Sequence, residues 1–308
     1  MSDEQTTTLS TIDYSRFKSG YVALIGKPNV GKSTLMNTLL GQKLSIVTPK
    51  PQTTRHRVLG ILSGEDFQII FLDTPGLLFP KYKLQETMVQ AARTAIEEAD
   101  VLLFMVEPEA KVTPANAAIL ADLVATKKPL IVVINKVDTV DKEKLLPLIE
   151  EYSSKFSLKT IIPISALKAD GLDELKEVLF QNLMPGFPFY PLDMITDHPE
   201  RFFVAEIIRE KVFQKFSAEI PYSTTVTVDE FKERKTGKDY ISATIYLERN
   251  SQKGIIIGKK GAALKQIGQL ARKEIELLLE RPVFLELYVK VKEKWRKNES
   301  DLRQFGYK

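Results

Sequence analysis

The chain has no cysteine and only two histidines, His56 and His198, in 308 residues. Without thiols there is no disulfide framework, thiolate metal site, iron–sulfur cluster or Cys nucleophile. Two histidines far apart in sequence argue against a zinc site or a His-based triad. No apolar run approaches the ~18 to 20 residues that a membrane-spanning helix needs. The opening Met1-Ser2-Asp3-Glu4-Gln5-Thr6-Thr7-Thr8 is acidic and polar, unlike a secretory signal or a transit peptide. A soluble cytoplasmic protein is the expectation. What is present is ordinary for a globular chain, 44% hydrophobic and 27% charged, with length enough for two domains.

The net charge of +4 hides an asymmetry. Residues 198–308 hold 23 Lys and Arg against 16 Asp and Glu, and the rest of the chain 21 against 24. A basic last third fits a nucleic-acid-facing module. On charge alone, a solvated charged surface reads the same way.

Residues 1–16 read as a disordered tail rich in Ser and Thr. Short apolar runs then recur at 21–25, 68–72, 101–106, 130–134 and 161–164. Several are apolar at consecutive positions, as in strands buried on both faces of a mostly parallel sheet. Helix-period stretches lie between them at 33–40, 84–98, 115–126, 142–156 and 172–182. This alternation predicts an α/β domain over 17–184. Residues 58–63 precede 68–72 by a short connection, so they predict a hairpin and one antiparallel edge strand. Three prolines and a glycine in Met184-Pro185-Gly186-Phe187-Pro188-Phe189-Tyr190-Pro191 suit a linker, assigned to 185–198. Beyond it a helix (201–216), two strands (224–231, 239–247), helical pattern (262–279) and a last strand (283–291) predict an α+β domain over 199–295, then a tail over 296–308.

The first strand ends in Gly26-Lys27-Pro28-Asn29-Val30-Gly31-Lys32-Ser33-Thr34, a G-x-x-x-x-G-K-[ST] loop between a strand and a helix. Glycines let backbone N–H groups turn inward around phosphates, and the helix N-terminus adds positive potential. Lys32 can reach the β- and γ-phosphates, and the Ser33 hydroxyl can ligate Mg²⁺. Asp73-Thr74-Pro75-Gly76, Asn135-Lys136-Val137-Asp138 and Ser165-Ala166-Leu167 each follow a predicted strand, where open α/β sheets bind ligands. Asp73 can hold Mg²⁺ and the Gly76 N–H can meet the γ-phosphate. A carboxylate at Asp138 accepts both guanine donors, N1–H and the 2-amino group. Adenine offers neither and would leave it unpaired. The expected ligand is GTP or GDP.

With those motifs, residues 20–183 resemble a Ras-like GTPase domain of the translation-factor-related class. Thr53-Thr54-Arg55 falls where such enzymes keep switch I, and Thr54, with Thr53 as the alternative, is the expected threonine for Mg²⁺ and the γ-phosphate. Ras-type enzymes carry a water-orienting Gln after the Asp-Thr-Pro-Gly segment. Here Leu77 and Leu78 follow, and leucine cannot hydrogen-bond water. Related GTPases with a hydrophobic residue there and an Asn in the phosphate loop can bind K⁺. The resemblance therefore implies a K⁺-assisted role for Asn29, beside the plain reading that Asn29 turns the loop. Lys32, Thr54, Gly76 and Asn29 are the expected catalytic set.

The basic third contains Lys253 and Ile257-Gly258-Lys259-Lys260-Gly261. Two glycines allow close approach of a nucleic-acid backbone, and two lysines offer charge. An apolar helix-length stretch meets this turn and another helix begins after it, and with the resulting α-β-β-α-α-β order this resembles a prokaryotic-type (type II) KH fold, which clamps about four single-stranded nucleotides. A GxxG turn alone is also compatible with a protein-docking domain, and that alternative stays open. Trp295-Arg296-Lys297 and Phe305-Gly306-Tyr307 can stack a base, though a packed end is the commoner reading. A GTPase followed by a KH domain, with Gln52-Thr53-Thr54-Arg55-His56-Arg57 in switch I, resembles the Era family of bacterial GTPases over about residues 17–295. That resemblance implies binding to the 3′ end of 16S ribosomal RNA, a role in small-subunit maturation, loose peripheral contact with the inner membrane and a monomer.

Overall fold

The computed structural model describes residues 16–307. The disordered tail expected at the N-terminus lies almost wholly outside the described residues. Strands β1 (Lys18–Gly26), β3 (Phe67–Asp73), β4 (Val101–Val106), β5 (Leu130–Ile134) and β6 (Ile161–Pro163) pair in parallel, and β2 (Val58–Ser63) pairs antiparallel with β3. The spatial order is β2-β3-β1-β4-β5-β6. The strand order therefore reverses beside β1, and the phosphate loop leaves the sheet at that crevice.

Strand β4 shows why its sequence runs apolar without alternation. Val101, Leu103 and Met105 face a core shared with α1 (Lys32–Leu40) and α5 (Leu172–Asn182). Leu102, Phe104 and Val106 face the other core, under α2 (Lys83–Glu98), α3 (Pro114–Ala125) and α4 (Leu145–Phe156). Each large side chain so buried contributes roughly 1.5 to 3 kcal/mol.

The second sheet is ordered β10-β9-β8, from β8 (Thr225–Lys232), β9 (Asp239–Leu247) and β10 (Val283–Val291). Helices α6 (Glu200–Lys215), α8 (Asn250–Ile257) and α9 (Ala262–Leu279) cover one face. A short helix α7 (Ile220–Ser223) precedes β8, and α10 (Glu299–Gln304) lies near the C-terminus; neither stands out in the sequence pattern. Ten residues of α6 between Phe203 and Phe213 are buried, so it lacks a solvated face. A helix buried all round has partners on every side. Here one side meets the second core and the other meets the loop that follows α1.

The Pro-rich segment is no free tether. Strand β7 (Met184–Pro185) pairs with the start of β1, and Ile61 N–H donates to the Ile195 carbonyl at 2.8 Å. The fully buried Gln68 side chain fastens the middle. Its Oε1 accepts from the backbone N–H of Phe189 (2.7 Å) and Tyr190 (3.0 Å), and its Nε2 donates to the Tyr190 carbonyl at 2.9 Å. The strap thereby covers the exposed edge of β2. The C-terminal residues are packed as well. Trp295, Phe305 and Tyr307 are buried against Leu84 and Met88 of α2, and Trp295 Nε1 donates to the Ser223 carbonyl at 2.9 Å.

Gln68→Leu keeps the volume but orphans two strap N–H groups and a carbonyl. It should destabilise the protein by about 1 to 3 kcal/mol, read as a lower urea midpoint. No change in midpoint would mean the strap is held elsewhere.

Candidate functional site

One cavity of about 690 Å³ gathers the four predicted segments, a volume suited to a nucleotide. Pro28, Asn29, Gly31, Lys32, Ser33, Thr34, Thr54, Gly76, Asn135, Lys136, Asp138, Ser165 and Leu167 all line it. Thr53 lines it too, but its hydroxyl donates to the Lys50 carbonyl at 2.7 Å, whereas the Thr54 hydroxyl sits 2.9 Å from Ser33 Oγ. Of the two candidates, Thr54 is the one aimed at the phosphate loop.

Backbone shape explains the loop's residue types. Gly31 has φ 99° and caps α1, and a Cβ there would meet the Asn135 amide nitrogen at 2.2 Å. At Gly76 a Cβ would meet the Pro28 backbone nitrogen at 2.4 Å, so glycine lets the Asp-Thr-Pro-Gly segment close against the phosphate loop.

The remaining predicted residues support the cavity from behind. Gly26 and Lys27 supply carbonyls that accept from Lys32 Nζ at 3.2 and 2.9 Å. The Lys27 side chain turns away to Thr113 Oγ1 at 2.9 Å. Val30 is buried in the core, and Thr74 Oγ1 ties to the Leu24 carbonyl at 2.6 Å, beside Pro75. Asn135 is a clamp: Nδ2 donates to the Val30 carbonyl at 2.8 Å and Oδ1 accepts the Ala166 N–H at 2.9 Å. It thus joins the phosphate loop to the base-side loops. Ser165 Oγ donates to Asp138 at 2.6 Å and orients the carboxylate expected to read guanine. The cavity also uses Gln52 of the switch I segment, and Ile46, Val47, Thr48, Pro49, Glu107 and Thr139, which carry no motif.

Oxygen donors suited to a hard divalent cation converge under the loop. Asp73 Oδ2 accepts from Ser33 Oγ at 2.7 Å, while its Oδ1 is buried with no hydrogen-bond partner. An orphaned buried carboxylate oxygen beside two hydroxyls fits Mg²⁺, whose preferred ligands are oxygens. Burial pushes the Asp73 carboxyl up, against the Ser33 hydroxyl and the Lys32 ammonium, which favour its charged form. Leu77 is half-buried in the core beneath α2, with its N–H on the Gly26 carbonyl at 3.0 Å. A leucine at that position has no group with which to orient a water. Asn29 has φ 68°, and its Nδ2 donates to the Pro49 carbonyl at 2.8 Å, so it both turns the loop and reaches switch I.

The second candidate site is the Gly258–Gly261 turn. Gly261 (φ 77°) takes left-handed backbone, Gly258 (φ 71°, ψ 176°) a positive-φ extended one that glycine adopts freely, and a Cβ at Gly258 would meet Ala263 Cβ at 2.7 Å. Lys259 and Lys260 project between them into solvent, with Lys253 and Ile257 on α8 just before the turn.

Burial lowers the Lys32 ammonium to about 8, against the opposing pull of Asp73. A bound phosphate restores the charged form, so binding takes up a proton above pH 8. Below pH 8 the affinity is fully present, and it falls as pH rises past 8. GDP affinity should drop severalfold from pH 8 to 9, with proton uptake seen calorimetrically in buffers of different ionisation enthalpy. A flat profile would show that Lys32 is charged in the free site.

Two family models match the chain: a 50S ribosome-binding GTPase over residues 21–136, and a KH domain over 219–296. The GTPase Era of Geotalea uraniireducens (strain Rf4) is 49% identical over 292 residues, 95% of this chain and 98% of that protein. The crystal structure of a point variant of Aquifex aeolicus Era bound to GDP·AlF4⁻ superposes with a TM-score of 0.92 at 47% identity, covering 94% of this chain and 99% of that one. An Era structure in complex with MgGDPNP and nucleotides 1506–1542 of 16S ribosomal RNA matches with the same TM-score, identity and coverage. A phosphate-loop GTPase fold with a largely parallel sheet, joined to a KH domain and matched over nearly its whole length, places this chain in the Era family of GTPases.

Proposed function

We propose that this GTPase binds the 3′ region of 16S ribosomal RNA through its KH domain and couples that binding to its nucleotide state during small-subunit maturation. The observation that carries the reading is one chain holding both the guanine-nucleotide cavity and an intact, solvent-facing Gly258-Lys259-Lys260-Gly261 turn. The likeness to an Era bound to MgGDPNP and 16S RNA supports it. We assign Lys32, the inward N–H groups of 26–33 and Gly76 to the phosphates, Ser33, Thr54 and Asp73 to Mg²⁺, and Asp138 to guanine. Mg²⁺ neutralises charge on the β- and γ-phosphates when bound. Lys32 brings a desolvated positive charge to the same oxygens, and Thr54 closes the front of the site.

With Leu77 in place of a water-orienting side chain, charge must be supplied in another way. We propose a K⁺ ion held beside Asn29, where the Pro49 carbonyl lies within reach of the same side chain. As further proposals, the family resemblance implies a cytoplasmic location with peripheral contact to the inner membrane. We take a monomer as the working unit, because one chain supplies every element of both sites. No helix among the described residues is long and apolar enough to cross a membrane.

A single-stranded RNA from the 3′ end of 16S ribosomal RNA, titrated at fixed salt, should bind more tightly with a non-hydrolysable GTP analogue than with GDP. Gly258→Asp, or Lys259→Glu with Lys260→Glu, should weaken binding by at least about tenfold. Undetectable binding in both states would reassign the second domain to protein docking and leave the GTPase standing. Hydrolysis should run severalfold faster in K⁺ than in Na⁺, and Asn29→Ala should erase the difference. Equal rates in the two salts would remove K⁺ from the mechanism.

A further inference from the structure

The loop that carries Thr54 is held by the other half of the chain. Arg209 of α6 is 1% exposed and lies over the Phe213 ring, 5.2 Å from its centroid. Its Nε donates to Glu206 Oε1 at 2.7 Å and its Nη2 to Glu206 Oε2. The same Nη2 donates to the Thr53 carbonyl at 2.6 Å. That carbonyl and the Thr54 nitrogen belong to one planar peptide unit. Fixing the oxygen fixes where Thr54 begins, and the Thr54 hydroxyl then falls 2.9 Å from Ser33 Oγ.

The flanks are tied in the same direction. Lys50 Nζ donates to the carbonyls of Phe213 and Phe216 at the C-terminal end of α6. Arg55 donates to the carbonyls of Thr224, Pro221 and Tyr222 at 2.7, 3.0 and 3.1 Å. Arg209 differs from both because it reaches out of the second domain to the peptide next to Thr54. It does so with Nη1 buried and unpartnered, a cost that an apolar side chain of similar size would avoid. Its one hydrogen bond to a group outside α6, among the described residues, goes to the Thr53 carbonyl.

We propose that Arg209, oriented by Glu206, is a positioning residue for the nucleotide site. The KH half of the chain thereby sets the placement of Thr54 and the site's preference for triphosphate over diphosphate. This rests on the assignment of Thr54 to Mg²⁺ and the γ-phosphate.

The test is a double-mutant cycle on nucleotide affinity, with fluorescent GDP and a fluorescent non-hydrolysable GTP analogue and no RNA present. Arg209→Met with Glu206→Gln removes the cation without stranding a buried carboxylate. Arg209→Lys keeps the charge and loses the planar fork. Each should weaken the triphosphate analogue by about tenfold to a hundredfold, the scale of a lost charge-assisted hydrogen bond. GDP affinity should stay within about twofold of wild type. In a Thr54→Ala background neither change should cost anything more, because Arg209 acts through Thr54. Equal losses for both nucleotides, or effects additive with Thr54→Ala, would overturn the proposal and leave the Thr54 assignment intact. A Thr54→Ala variant that discriminates triphosphate from diphosphate as wild type does would overturn both.

Discussion

Residues 43–57 run without regular structure between two hydrophobic cores, and their buried backbone polar groups must still be paired. Asn37 of α1 pairs the Leu44 and Ser45 N–H groups and the Ser45 carbonyl, and α6 supplies partners further along. The Val47 N–H donates to Glu210 Oε1 at 3.0 Å, and Lys43 pairs with Glu210 and Glu274. Lys50, Thr53 and Arg55 continue the same seam. The two halves of the chain are therefore joined through the loop that closes the nucleotide cavity as well as through the Pro-rich strap. A change in the path of that loop must break or exchange these bonds, because a buried orphan costs about 1 to 3 kcal/mol.

The nucleotide cavity follows a complementary rule: its charges are few and fixed before a ligand arrives. Lys32 is buried and held by two loop carbonyls. Asn135 ties the phosphate loop to the base-side loops, so moving one moves the other. Preorganised donors of this kind need little rearrangement as charge develops on transferring phosphate. Leu77 marks what the fold does not provide. It is part of the core beneath α2, and the nearest aromatic after it, Phe79, is 91% exposed rather than turned toward the cavity.

The sheet, its antiparallel edge and the four loop motifs are legible in the sequence because each rests on local pattern: apolar runs, glycines at forced backbone angles, and side chains at strand ends. Asn135 reads as a nucleotide contact, and its clamping role shows only when Val30 and Ala166 are brought beside it. Gln68 looks like a polar interruption of a strand until the strap is laid over it. Arg209 reads as one more charged position on an ordinary helix, in a stretch (Glu206, Arg209, Glu210, Lys211) that suits a solvated face. Its meaning depends on Thr53, 156 positions away. The Pro-rich segment reads as a linker because proline and glycine forbid helix and central strand, yet extended backbone of that kind also suits a strap along a sheet edge. What stays hidden is long-range polar pairing, which leaves no period in the sequence.

Magnitude decides whether such a seam can act as a switch. Moving a two-state equilibrium from 1:99 to 99:1 takes about 5.5 kcal/mol of differential binding. A hydrogen bond to a charged group contributes roughly 1.5 to 3 kcal/mol. Arg209, Arg55 and Lys50 between them direct such bonds at six carbonyls across the seam. If the nucleotide state governs two or three of the six, the coupling already has the required size, without any motion inside either core. Linkage then makes the effect reciprocal: a ligand on the KH face that favours this arrangement must strengthen triphosphate binding by the factor that the triphosphate strengthens its own.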